Sequence, residues 1–162
     1  RRTNLETDAE CILIAWWHLL TIDKDFLPGW RESEFPGGFS HACELETSLY
    51  LHLAGEDVRK DKVKDHINTL NDGNPYIWTD LLGRGPAALT SWTSTYTPRG
   101  VMGRPELATA DKGKQVYNEA VRQLSNLVDF FRDRPRDTRK RHQDKRPTMP
   151  IPWGQHDLAD RT

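Results

Sequence analysis

The run Cys11–Leu20, CILIAWWHLL, limits what this chain can become more than any other feature. It is apolar almost throughout and rich in β-branched residues, a composition suited to a strand buried on both faces, as in parallel sheets. A buried helix is the other arrangement. Asp8 before the run and Leu27-Pro28-Gly29-Trp30 after it confine the segment to strand length, and we place a strand at Cys11–Trp17. The expected class is therefore α/β.

Gly29, Pro36, Gly37 and Gly38 mark a sharply turning loop after the run. From Glu44 the pattern becomes helical: Leu45, Leu49 and Leu53 share one face at four-residue spacing, and Gly55 is a natural stop. The middle of the chain is rich in proline and glycine. Strand pieces are expected near Tyr76–Trp78 and Leu89–Tyr96. A second helix begins near Thr109 or Asp111, with Val116, Ala120, Leu124, Leu127, Val128 and Phe131 along one face and Pro135 just past its end. Residues 1–133 read as one domain, and 134–162 as an extended tail, basic and then proline-rich. Its anchor is expected at Met149–Trp153, across a neighbouring subunit; nucleic-acid binding is the alternative for its basic cluster.

The whole chain has 162 residues and a formal net charge of −1, which gives no electrostatic case for nucleic acid or membrane. No apolar run approaches the roughly 18 residues of a membrane span, and no secretory signal is visible. Two cysteines, Cys11 and Cys43, make no disulfide framework, so a cytoplasmic location is expected. Six tryptophans are many for this length and point to core and interface packing.

The chemistry gathers in GGFSHACELETSLYLHL, Gly37–Leu53. One account is ordinary helix capping: Ser40 as the cap, with Glu44 and Glu46 at the positive end of the helix dipole. The other is a hydrolytic site. Glycines let the backbone approach a ligand, a helix N-terminus offers free N–H groups, and a histidine and a carboxylate can move protons or hold a metal. Glu44 and Glu46 lie about 200° apart on a helix. We take Glu46 as the acid facing the site, and Glu44 as lying on another face, where its loss should matter much less.

HACELETSLYLHL resembles the His-Ala-Gly-Glu-x-Glu-Thr-Ser signature of the creatininase (creatinine amidohydrolase) family, and GVMGRPELATADKG resembles that family's Gly-Val-x-Gly-Asp-Pro-x-x-Ala-Thr-x-Glu-Lys-Gly stretch. The apolar run before the first motif also fits, so the likeness covers roughly residues 10 to 132. This chain departs from the pattern at Cys43, where glycine is usual, at Arg104 in place of aspartate, and at Asp111 in place of glutamate. The resemblance implies a three-layer α/β/α fold and metal-dependent hydrolysis of an amide C–N bond, in a cyclic or heteroaromatic small molecule among other substrates. It implies His41 as the catalytic proton shuttle and Glu46 at the metal site. Trp17 matches a tryptophan lining the substrate pocket. Gly37 and Gly38 stand at substrate-binding positions where creatininase has Trp-Asp. Zinc is the expected metal, with manganese and iron as alternatives.

The family's Glu-x-His pair and Asn-Gly-His segment, which carry most metal ligands, do not occur here. The chain thus resembles the C-terminal half of a creatininase-like protein. A second polypeptide is expected to supply the N-terminal half and most ligands within a higher oligomer, and this chain is expected to fold poorly without it. Processing of a precursor would fit the initial Arg1. Two other readings are a non-catalytic subunit that stabilises or regulates an active paralogue, and a nucleic-acid-binding module.

Overall fold

The computed structural model describes residues 9, 11–67, 74–89 and 92–135. Ile14–Phe130 forms one compact unit, and the other described residues belong to a second. The tail expected to wrap a neighbour lies outside the described residues from position 136 onward.

The strand expected at Cys11–Trp17 does not form. Residues 11–15 carry no regular structure, and Trp16–Thr21 winds into a 3-10 helix. A strand exists through its ladder partners, and among the described residues no neighbouring strand pairs with this run. Local bonds replace a ladder: the His18 N–H donates to the Ala15 carbonyl at 3.0 Å and the Ile22 N–H to the Leu19 carbonyl at 3.1 Å. Leu20 is fully buried, and the Trp16 and Trp17 rings pack against the core, edge to face at 6.0 Å.

After the short helix α1 (Phe26–Trp30), strand β1 (Phe39–His41) leads into helix α2 (Glu44–Ala54). A hairpin of β2 (Thr79–Asp80) and β3 (Gly83–Arg84) follows, then the single-turn helix α3 (Thr93–Tyr96), β4 (Met102–Gly103) and the long helix α4 (Ala110–Asp133). β1 and β4 pair antiparallel, with Phe39 opposite Gly103 and His41 opposite Met102. Strand structure expected at Tyr76–Trp78 is displaced to the hairpin just after it. Tyr76 and Trp78 still accept backbone bonds from Ala87 and Gly85 at 2.9 and 2.8 Å. The strand expected over Leu89–Tyr96 is replaced at its end by α3. No described helix is long and apolar enough to cross a membrane.

The core is built from Leu20, Leu27, Trp30, Phe39, Cys43, Leu45, Val116 and Ala120. Helix α2 starts where expected, but its leucine stripe turns outward along its length: Leu45 is fully buried, Leu49 half-buried, and Leu53 58% exposed. On α4 the residues Val116 and Ala120 are buried, while Val128 is exposed.

A buried ion pair joins the N-terminal ends of the two long helices. The Lys112 ammonium donates to Glu44 Oε1 and, at 2.7 Å, to Glu32 Oε1. It lies 4.7 Å over the Trp30 ring, and the Trp30 indole N–H donates to the Lys112 carbonyl at 3.1 Å. Glu44, fully buried, also accepts the backbone N–H groups of Glu32 and Ser33 at 3.1 and 3.0 Å. Burial by itself pushes the Glu44 carboxyl up; the bonds from Lys112 and the two N–H groups outweigh it and hold the group below its ordinary 4.5. Glu44 is therefore not the dispensable acid that its helical position implied. It does face away from Glu46, but into the core.

Next to this pair the helices touch through backbone. A Cβ on Gly113 would stand 1.9 Å from the Ser48 carbonyl oxygen and 2.9 Å from His52 Cβ. Ser48, fully buried, accepts the Thr109 N–H on its hydroxyl at 3.2 Å.

Two outcomes follow from this packing. Gly113→Ala, which in an open helix stabilises by about 1 kcal/mol, should instead destabilise by about 1–3 kcal/mol through overpacking against backbone. Denaturant unfolding measures it, and unchanged stability contradicts the close approach. Glu44→Gln should cost about 3–5 kcal/mol near neutral pH, the scale for breaking a buried pair. Because the folded carboxyl titrates below its unfolded value, the pair's contribution is complete above about pH 4.5 and is lost as pH falls through the folded value. Stability of the wild-type protein should fall over that acid range more steeply than that of Glu44→Gln. Parallel curves would contradict the pair.

Candidate active site

His41 ends β1, and the chain must reverse within two residues to start α2. It does so at Ala42, whose φ of 48° lies in the left-handed region that costs a residue with a Cβ about 1 kcal/mol or more. The Thr47 hydroxyl donates to the Ala42 carbonyl at 3.3 Å and holds the turn. Cys43 occupies the N-cap position, with no side chain capping the helix. Ser40 lies within β1 and does not cap the helix.

The turn places His41, Ala42, Glu46, Thr47 and Tyr50 along one wall of a cavity of about 360 Å³. The segment after α2 supplies Asp57, Arg59, Lys62 and Val63, and the second motif supplies Val101 and Pro105. His41 is exposed at the edge, whereas Glu46 is half-buried. The Oε2 atom of Glu46 is buried and has no hydrogen-bond partner among the described residues. An unsatisfied buried carboxylate oxygen is costly, and a cation or a proton donor entering the cavity would relieve that cost.

The two motifs, some sixty residues apart in the chain, interlock behind this wall. Gly103, at φ 140°, approaches so closely that a Cβ there would stand 2.5 Å from the Gly38 carbonyl oxygen and 2.7 Å from Cys43 Cβ. The Arg104 N–H donates to that same Gly38 carbonyl at 2.9 Å. The Arg104 side chain binds Glu34 through Nε at 3.0 Å and Nη2 at 2.7 Å, and Asp65 through Nη1 at 3.1 Å. These bonds hold the Glu34 carboxyl below the usual range and raise the guanidinium further. Arginine at this position thus ties the loop before β1 to the segment after α2. Cys43 is fully buried, and burial, with a smaller contribution from the Glu46 charge, pushes its thiol up to about 11. It is an inert packing residue.

The other residues expected in the site lie elsewhere. Trp17 packs against the core, and neither it nor Gly37 or Gly38 lines the cavity. Gly37 and Gly38 are both buried; the Gly37 N–H donates to Asp80 Oδ2 at 3.1 Å, and the Gly38 N–H to the Glu34 carbonyl at 3.1 Å. Asp80 is itself held by Arg31 at 2.7 Å. The glycines serve the turn that delivers β1. Conversely, Asp57, Arg59 and Lys62 line the cavity without having been anticipated. Their signal was the charged run DVRKDKVKDH directly after the helix stop.

The orphaned Glu46 oxygen fits a cation ligand, yet among the described residues no group of three or more His, Cys, Asp or Glu side chains could hold an ion.

The mycofactocin precursor peptide peptidase of Mycobacterium ulcerans (strain Agy99) is 33% identical over 93 residues, 57% of this chain and 33% of the relative. Its namesake from Mycobacterium tuberculosis (strain ATCC 25618 / H37Rv) is 34% identical over 93 residues, with the same coverage. The 3-dehydro-scyllo-inosose hydrolase of Thermotoga maritima is 27% identical over 135 residues, 76% of this chain and 41% of the relative. The matched segment thus spans only about a third of the length of the peptidase relatives. No solved structure matches the chain significantly. The creatininase family model, described as creatinine amidohydrolase, matches residues 2–128, which takes in both motifs and the cavity they enclose. The chain belongs to the creatininase family, whose fold is α/β.

Proposed function

We propose that this chain is the part of a metal-dependent amide hydrolase that carries its proton shuttle and one position of its metal site. The observation that carries the reading is the placement of His41 and Glu46 on one cavity wall, with Glu46 Oε2 buried and without a partner. The names of the relatives, a precursor peptide peptidase and an inosose hydrolase, support a hydrolase. A divalent metal, zinc in the first instance, supplies the Lewis acidity that activates water when bound.

The chain's own residues have defined parts. Glu46 offers its free oxygen as a ligand. Its other neighbours on the wall, Ala42 and Thr47, fix where the helix begins and hence where His41 stands. His41, exposed at the cavity edge, takes a proton from water and delivers it to the leaving nitrogen. The C–N bond breaks, the water hydroxyl goes to the carbonyl carbon, and the nitrogen leaves as an amine. The remaining ligands lie outside these residues. We assign them to a companion polypeptide, which also provides neighbours for the apolar run at Cys11–Leu20.

His41→Ala in the assembled protein should lower turnover by about 10²-fold or more, the scale for a lost acid–base group, with metal content retained. Glu46→Gln should lose metal on dialysis, measured by elemental analysis, and activity with it. Full hydrolysis by His41→Ala would overturn the shuttle; full metal retention by Glu46→Gln would overturn the ligand.

A further inference from the structure

The cavity holding His41 and Glu46 has a charged extension that its catalytic residues do not explain. Arg59, Lys62 and Val101 line it and also line an adjoining cleft of about 560 Å³. The cleft adds Lys64 and Arg99, and its lining includes a single acid, Asp61. Four cations therefore face one carboxylate.

Pairing does not cancel this excess. Lys62 meets Asp61 at 3.4 Å and Lys64 meets Glu106 at 3.3 Å, both in exposed, well-solvated pairs that hold their partners weakly. Arg59 and Arg99 have no acidic partner among the described residues. A guanidinium group suits a planar oxyanion, because it offers parallel N–H donors that match a carboxylate edge, and two such groups line this one cleft. The cavity also carries Glu46 and Asp57, which repel such an anion and favour its seat in the cleft. His41, Glu46 and Asp57 line the cavity alone, Arg99 lines the cleft alone, and Arg59 lines both.

We propose that the substrate is an amide bearing a free carboxylate, held by Arg59 and Arg99 while its scissile bond lies at His41. The chemical class is a peptide with a free C-terminus or an N-acyl amino acid, in preference to a neutral cyclic amide. Arg59, at the junction of the two spaces, fixes the distance between the anion and the reacting bond. This rests on the hydrolase reading for the position of that bond, but the binding of the anion does not.

The test is therefore a binding measurement on the assembled protein carrying His41→Ala, in which turnover is about 10²-fold slower or more. Titration calorimetry compares an N-acetyl dipeptide with its C-terminal amide, with inorganic phosphate as a competing oxyanion. The free acid should bind about tenfold tighter than the amide or more, the scale of one charge-assisted hydrogen-bonded contact. The preference should shrink with added salt. It should vanish in Arg59→Ala/Arg99→Ala and partly return in Arg59→Lys. Equal affinity for acid and amide, absence of binding by both, or phosphate binding with no preference between the peptides would each overturn the proposal. A charge-selective site in a protein with no amide hydrolysis would overturn the proposed activity and the amide substrate with it, and leave the carboxylate site at Arg59 and Arg99 standing.

Discussion

The buried contact between Lys112 and Glu44 is the constraint on which the described structure depends. It joins residues far apart in sequence at the N-terminal ends of both long helices, and it is enclosed by Trp30, whose indole binds the Lys112 carbonyl. An ion pair taken out of water is stable only when its remaining hydrogen-bonding capacity is filled. Here the N–H groups of Glu32 and Ser33 fill it for the carboxylate, and Glu32 and the Trp30 ring serve the ammonium. That requirement draws the loop after α1, the start of α2 and the start of α4 to one point.

The cavity follows from this convergence. With α2 fixed by Glu44 on one face, Glu46 must emerge on the other, and the left-handed turn at Ala42 sets His41 beside it. Gly103 and Gly113 then let the second motif approach within backbone contact on either side of Cys43 and Ser48. The residues that give the family its two signatures therefore divide into those facing the cavity and those that make the two motifs fit. Ser48 and Glu44 belong to the second kind.

Sequence periodicity made both long helices legible, because each places its apolar residues at helical spacing and ends at glycine or before proline. That His41 and Glu46 line one cavity follows from local geometry at one helix start. The role of Glu44 was not legible. An acid in a first helical turn reads as a dipole partner, and only the position of Lys112, one turn before the buried Val116 on the same face, hints that a charge enters the core. The run at Cys11–Leu20 misled for a related reason: burial and strand structure both require a neighbour, and among the described residues Ile12, Leu13 and Ile14 are exposed and unpaired by any strand. Of the cleft arginines, Arg59 was hidden in a charged run whose pattern carries no directional information, and Arg99 in the proline- and glycine-flanked turn before the second motif.

The central claim is that Glu46 keeps one carboxylate oxygen for a cation in the cavity it shares with His41. Anomalous diffraction at the metal absorption edge, on crystals of the assembled protein, tests it most directly. Zinc held by Glu46 should give an anomalous peak in coordination contact with its carboxylate, at about 2.0–2.2 Å, with His41 close by but outside the ligand shell. A metal bound elsewhere, with Glu46 Oε2 satisfied by a protein hydrogen bond, would contradict it.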